Sequence, residues 1–142
     1  IDPREQPALE MGGGGLMATV GDYARFLQCL LNGGALDGVR LLGPRTVEFM
    51  TSDHLGTIAC APGDPLLPPG HGFGLGFAVR TAPGLNPLPG SVGDFSWSGI
   101  YGTFFWVDPK EDLFAILMMQ SMAQRIPYRW VMREGVYQSV VD

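Results

Sequence analysis

The residues that most clearly suggest chemistry are Trp97, Ser98 and Gly99, which stand together near the start of an apolar run. Small residues are unusual within a strand, because strand positions normally carry side chains that pack. Beside a binding cleft they have a use, since they allow a ligand to lie close to the backbone. On the residues alone, however, a core tryptophan beside a β-bulge is the simpler interpretation.

Three other candidates are better explained by structure than by catalysis. The glycines at 12–15 precede a helix, as in phosphate-binding loops, but no Gly-Lys-Ser/Thr follows them. His71 falls among the apolar positions of its strand, which predicts a hydrogen-bonded core histidine. Asp53 and His54 lie at a helix end with no serine in a nucleophile-like turn, so we interpret them as a surface pair.

Composition excludes several classes of function. The chain has 142 residues, of which 46% are hydrophobic, so it can bury one sizeable core and form one domain or part of one. Its net charge of -5, without an acidic run, disfavours nucleic acid and anionic lipid as partners. No apolar run approaches the roughly 20 residues of a membrane span, which predicts a soluble protein of undetermined compartment. Cys29 and Cys60 lack Cys-x-x-Cys spacing and are expected to be unpaired buried thiols, and we predict no metal or cofactor.

The hydrophobic periodicity predicts three helices. Thr19 and Asp22 resemble a capping box, and the helix that they start should end at Asn32-Gly33-Gly34. Pro44 suits the first position of a second helix, which should run to about residue 51. A third helix is predicted over 128–141, with an apolar stripe of Tyr128, Val131, Met132, Val136 and Val140.

Two apolar segments predict strands. Residues 70–80 alternate glycine with larger residues, which indicates one strand with a bare glycine face. Residues 95–119 read as a hairpin that is apolar on both faces, so helices should cover it on both sides. The predicted fold class is therefore α+β, an antiparallel sheet flanked by helices, with a linker-like start at 1–18 and loops at 56–70 and 81–93.

Several segments in this order resemble one family. They are GGGGLMATVGDYARFLQCLLNGG, LDGVRLLGPRTVEFM, HGFGLGFAV and WSGIYGTFFWVDPKEDLFAILMMQ. Together they are similar to the C-terminal part of the serine β-lactamase-like hydrolases, a group that includes class C β-lactamases, DD-peptidases and family VIII carboxylesterases. The resemblance runs from residue 12 to about 120. It implies that residues 1–142 form the C-terminal segment of one β-lactamase-like domain.

The resemblance also assigns roles near Trp97. In this family a serine, activated by a lysine three positions later, forms an acyl-enzyme, and a third motif lies on a sheet strand. Trp97-Ser98-Gly99 matches the third motif in its esterase-like form, which implies that Trp97, Ser98 and Gly99 line the substrate cleft. Tyr101 is a further candidate for the cleft lining, with packing as its alternative role. The backbone N–H of Ile100 would then stabilise the oxyanion. Tryptophan replaces the usual lysine, which favours esters over β-lactams.

Two departures from the family pattern concern the nucleophile. The only lysine is Lys110, and Val107 stands three positions before it, so the sequence contains no Ser-x-x-Lys. It also contains no Tyr-x-Asn, the second motif of this family. The first residues lack an initiating Met and look like a cut end. We therefore expect an upstream half to carry the nucleophile, and we expect this segment to be inactive alone.

Two functions remain open at this point. The first is a serine hydrolase segment that, when complete, hydrolyses small-molecule ester or amide bonds through a Ser–Lys acyl-enzyme. The second is a non-catalytic β-lactamase-like module that binds a ligand or a partner chain. We also expect Trp97 to begin a strand antiparallel to 113–119, with the Ile100 N–H at an open edge or in a groove. Uncovered sheet surface should make the chain a homo-oligomer, or bind it to the missing upstream half.

Overall fold

The computed structural model describes residues 4–6, 8–9, 13–14, 16–56, 58 and 67–141. Within those ranges the chain forms three helices and seven short strands. They are α1 (Val20–Leu31), β1 (Ala35–Leu36), β2 (Val39–Arg40), α2 (Pro44–Met50), β3 (His71–Phe73), β4 (Ala78–Arg80), β5 (Phe95–Ser98), β6 (Phe104–Asp108), β7 (Leu113–Leu117) and α3 (Arg125–Gln138).

In the described part of the chain, five strands form one sheet in the order β3-β4-β5-β6-β7. Each strand runs antiparallel to the next, so the sheet is a meander in sequence order. β1 and β2 form a separate small hairpin beside α1. The predicted α+β class with an antiparallel sheet is confirmed.

The first face of the sheet packs against α1 and α2 through a hydrophobic core. Leu27 and Leu30 of α1 are buried against Phe95, Phe105 and Val107 of the sheet. α1 starts as predicted, because the Thr19 hydroxyl accepts from the Asp22 N–H while Asp22 accepts from the Thr19 N–H. α2 begins at Pro44, also as predicted.

The second face packs against α3, so both faces are covered as expected, but the contacting side of α3 is not the predicted one. Tyr128 and Val131 of the expected apolar stripe are exposed. The residues buried against the sheet are Arg129 and Arg133. The prediction was wrong because this face of the sheet supplies carbonyl oxygens, a carboxylate and aromatic rings, which can accept buried guanidinium groups.

Residues 70–80 form a tight hairpin, so the prediction of one strand was wrong. The chain reverses between β3 and β4, where Gly76 has a φ of 96° and the Gly74 N–H donates to the Phe77 carbonyl at 2.8 Å. The glycine face is not bare either. A Cβ on Gly74 would lie 2.2 Å from the Met50 carbonyl oxygen, and one on Gly72 would lie 2.1 Å from the Asp53 carboxylate. These glycines allow the end of α2 to lie against the sheet.

The predicted two-arm hairpin over 95–119 is a three-stranded meander. Its first arm bends back after β5, so Trp97 pairs with Phe105 of β6 and not with β7. The expectation that Trp97 begins a strand antiparallel to 113–119 was therefore wrong. The turn was missed because its central residues, Ile100 and Tyr101, are apolar and carry no turn signature.

Candidate active site

The site that the sequence indicated lies at the turn between β5 and β6. The Gly99 N–H donates to the Thr103 carbonyl at 2.8 Å, and the Gly102 N–H donates to the Gly99 carbonyl at 3.1 Å. Gly102 has a φ of 119°, and a Cβ there would lie 2.8 Å from the Met119 Cγ. The turn therefore has internal hydrogen bonds and requires glycine at 102.

Ile100 lies at the exposed tip of this turn. Its side chain is 61% exposed, and its carbonyl accepts from the Arg125 guanidinium at 3.3 Å. Among the described residues, no group accepts a hydrogen bond from the Ile100 N–H. The exposed turn thus presents backbone donors that the sheet does not use, since the Tyr101 N–H also has no acceptor among the described residues.

Trp97 and Ser98 form the last two positions of β5, just before the turn. The Trp97 indole is half-buried, packs against the hydrophobic core and meets the Phe73 ring edge-on at 5.0 Å between centroids. Ser98 is also half-buried and pairs with Phe104 of β6. These contacts hold Trp97 against the hydrophobic core near the end of β5, three residues before Ile100.

The structure gives a steric reason, not apparent from the sequence, why residue 99 is a glycine. A Cβ on this residue would lie 2.3 Å from the Thr103 Oγ1, so the turn itself disfavours a larger residue. Tyr101 is 60% exposed, and its carbonyl accepts from the Ser121 N–H at 2.6 Å. Its ring is therefore available at the surface instead of being part of the core.

Two arginines of α3 reach the turn, and sequence reasoning missed both. Arg129 donates through one nitrogen to the Gly99 carbonyl at 2.7 Å and to the Thr103 carbonyl at 3.2 Å. Burial, with a smaller contribution from Arg125, lowers the pKa of Arg129 below its ordinary value. The sequence did contain a signal, because the four-residue spacing of Arg125, Arg129 and Arg133 places them on one side of a helix.

A buried polar network anchors α3 to the sheet next to this site. Arg80 and Arg133 both donate to one carboxylate oxygen of Asp94, at 2.8 and 2.5 Å, and all three side chains are at most 4% exposed. Tyr137 donates to Asp108 at 2.6 Å and stacks on Trp106. Burial and this hydrogen bond raise the pKa of the Tyr137 hydroxyl.

The other sequence candidates take structural roles. His71 is half-buried with its Nδ1 3.1 Å from the Pro69 carbonyl oxygen, and burial lowers its pKa. Asp53 accepts from the backbone N–H groups of Leu55 and Phe73. Cys29 is a free, buried thiol. Cys60, and two of the four glycines at 12–15, lie outside the described residues.

No helix in the described ranges combines the length and apolar character that crossing a membrane requires. That finding accords with the absence of a long apolar run in the sequence.

Comparison with known proteins agrees with the resemblance. Residues 1–132 match the family model described as Beta-lactamase. Protein Rv1367c of Mycobacterium tuberculosis is 42% identical over 120 residues, which are 80% of this chain and 30% of that protein. The chain thus spans less than a third of the length of this curated relative.

Two solved structures share the fold at low identity. One is EstCE1, a hydrolase with promiscuous acyltransferase activity, with 27% identity and a TM-score of 0.64 over 78% of this chain and 27% of that one. The other is a penicillin-binding protein homolog from Caulobacter crescentus, with 26% identity and a TM-score of 0.60 over 82% of this chain and 30% of that one. These neighbours are consistent with the serine β-lactamase-like family that the sequence resembles.

Proposed function

Because the chain belongs to the Beta-lactamase family, we propose that it forms one wall of the acyl-transfer site of a serine hydrolase. In this proposal the Ile100 N–H is an oxyanion donor and Trp97, Ser98, Gly99 and Tyr101 line the substrate cleft. The nucleophile and its base come from residues outside this sequence, which has no Ser-x-x-Lys.

The observation that carries the proposal is the free N–H of Ile100. In the described structure the Gly99 and Gly102 N–H groups have acceptors within the protein, whereas those of Ile100 and Tyr101, at the exposed tip of the turn, have none and are open to solvent or a ligand. Ile100 follows Trp97-Ser98-Gly99 directly, where the family motif would place the donor. The family motif therefore selects Ile100 from the two N–H groups that the turn tip leaves without an acceptor in the described structure.

The chemistry requires such a donor. When a serine oxygen attacks an ester or amide carbonyl, the carbonyl oxygen becomes an anion, and the leaving group departs as the acyl-enzyme forms. A backbone N–H aimed at that oxygen stabilises the transition state by about 3 kcal/mol. Water then attacks the acyl-enzyme and releases the acid.

The residue at position 97 favours esters as the substrate class. A lysine there would attract a carboxylate, as in a penicillin or a peptide terminus, whereas the Trp97 indole offers an apolar surface and one N–H donor. EstCE1, which resembles this chain in structure, is a hydrolase with acyltransferase activity. We therefore propose small ester substrates for the complete site.

The first test asks whether the nucleophile has to come from residues outside the 142-residue chain. The 142-residue chain should give no covalent adduct with a fluorophosphonate probe and no turnover of nitrophenyl butyrate above a denatured control. A longer polypeptide that includes this chain and a Ser-x-x-Lys should bind one molecule of the probe covalently per chain. A stoichiometric adduct on the 142-residue chain would contradict the proposal, and a longer polypeptide without label would favour the non-catalytic binding module.

The second test separates the backbone of Ile100 from its side chain. In the longer polypeptide, Ile100→Pro removes the N–H and should lower kcat by about 100-fold, with little change in KM. Ile100→Ala retains the N–H, and because the side chain is exposed, kcat should change little. Equal losses in the two variants would show that the backbone donor is not what matters.

A further inference from the structure

The direction of the Ile100 N–H depends on the carbonyl of the preceding residue. The Gly99 carbonyl and the Ile100 N–H belong to one planar peptide unit, and no cis peptide bond occurs in the described residues. In a trans peptide these two groups point in opposite directions. Any group that binds the Gly99 oxygen therefore also sets where the Ile100 N–H points.

Among the described residues, that oxygen accepts from the Gly102 N–H within the turn, at 3.1 Å, and, from outside the turn, from Arg129. Its guanidinium reaches from α3 to the carbonyl oxygens of Gly99 and Thr103, at 2.7 and 3.2 Å, and so bridges the two ends of the turn. Its charge also lies 5.5 Å from the centre of the Phe104 ring. No carboxylate within the described residues pairs with Arg129, so its charged hydrogen bonds are available to the turn.

We propose that Arg129 is a positioning residue that holds the Gly99–Ile100 peptide with its N–H directed away from α3, toward the substrate side. A peptide that follows glycine rotates easily, because glycine tolerates most backbone conformations. The guanidinium opposes that rotation, and by polarising the carbonyl it makes the N–H on the same peptide a stronger donor. The catalytic use of this peptide depends on the function proposed above.

The positioning can be tested on the 142-residue chain by NMR. In the unmodified chain the amide signals of Gly99 and Ile100 should show one state. Arg129→Gln should broaden both signals by conformational exchange, and Arg129→Lys should have a smaller effect, because an ammonium can hold one carbonyl but does not reproduce the guanidinium bridge.

Arg133→Gln is the matched control, because Arg133 also joins α3 to the sheet but contacts Asp94 and Pro89 and not the turn. Because it weakens the docking of α3 without removing a contact to the turn, it measures the effect of helix docking alone, and it should broaden the Gly99 and Ile100 signals much less than Arg129→Gln does. If Arg129→Gln leaves them unchanged, or if Arg133→Gln broadens them equally, the proposed positioning is wrong. Should Arg129→Gln fail to fold, the comparison of Arg129→Lys with Arg133→Lys decides the question in the same way.

A kinetic measurement separates this proposal from the function on which it rests. In a longer polypeptide with a Ser-x-x-Lys, Arg129→Gln should lower kcat about tenfold, with KM changed less than about twofold. If the amide signals broaden and kcat stays constant, Arg129 positions the peptide and the oxyanion role is wrong. If kcat falls without any change in the amide signals, the positioning by Arg129 is wrong.

Discussion

At the scale of single residues, the β5–β6 turn explains why its glycines cannot be exchanged freely. Gly102 adopts a positive φ next to Met119, and Gly99 faces the Thr103 hydroxyl. Between them stand Ile100 and Tyr101, whose side chains point into solvent. The turn is thus tightly packed at its base and exposed to solvent at its tip.

Gly99→Ala should test this steric account. The added Cβ would lie 2.3 Å from the Thr103 Oγ1, so we expect a loss of about 1 kcal/mol in the free energy of unfolding. In a Thr103→Ala background the nearest remaining atom is the Cβ of residue 103, at 3.6 Å, and the loss should largely disappear. Urea unfolding of the four chains in this double-mutant cycle measures the coupling. The same loss in both backgrounds would mean that the crowding lies elsewhere.

At the scale of elements, α3 is joined to the sheet mainly by polar and aromatic contacts. Arg133 lies over the Trp106 ring, 5.1 Å from its centre, and also bonds Asp94. Tyr137 stacks on Trp106 and bonds Asp108. Because these groups are buried, removing one partner leaves the other without compensation, so docking of this helix should be sensitive to single substitutions.

Asp94→Asn should therefore destabilise the chain strongly. It removes the charge that faces Arg80 and Arg133, which are both 3% exposed, and the expected loss in unfolding free energy is about 3–5 kcal/mol. Asp37→Asn is the matched control, since Asp37 pairs with Arg25 at 2.7 Å on the surface. Its expected loss is at most about 1 kcal/mol. Similar shifts in the urea midpoint of both variants would contradict this difference.

At the scale of the whole molecule, the exposed apolar surface lies in a different place from the one that the sequence suggested. Both sheet faces are covered within the chain, by α1 and α2 on one side and α3 on the other. Apolar side chains are exposed beside α1, where Phe26, Val39 and Leu41 line a shallow cavity, and also on α3, at Tyr128 and Val131. β7 also has no strand partner on its outer side among the described residues. Each of these surfaces can take part in association.

We retain the prediction that the isolated chain self-associates. Contact with water disfavours exposed apolar surface by about 25 cal/mol per Å², so sedimentation at micromolar concentration should give a mass above the 15.3 kDa of one chain. Leu41→Lys should shift the equilibrium toward monomer, whereas Leu85→Lys, at a similarly exposed leucine elsewhere, should not. A monomer in the unmodified chain would refute the prediction. A dimer that resists Leu41→Lys would indicate association through another surface, the edge of β7 or the exposed side of α3.

The sequence by itself determined the fold class and the starts of α1 and α2, and it indicated the candidate site, which stays a prediction. These features depend on local rules, since a capping box, a proline at a helix start and short apolar runs act over a few residues. The tripeptide Trp97-Ser98-Gly99 could be found for the same reason, because a family motif is contiguous. The resemblance to β-lactamase-like hydrolases supplied the rest of that prediction.

Only the tertiary structure decided how the site is held. Hydrophobic periodicity cannot predict that α3 buries Arg129 and Arg133, because their partners, Gly99 and Asp94, lie far away along the chain. It also cannot predict that the segment after α2 covers Gly72, or that the chain turns at Ile100. A buried charge is stable only where distant groups compensate it, and that compensation exists only once the chain has folded.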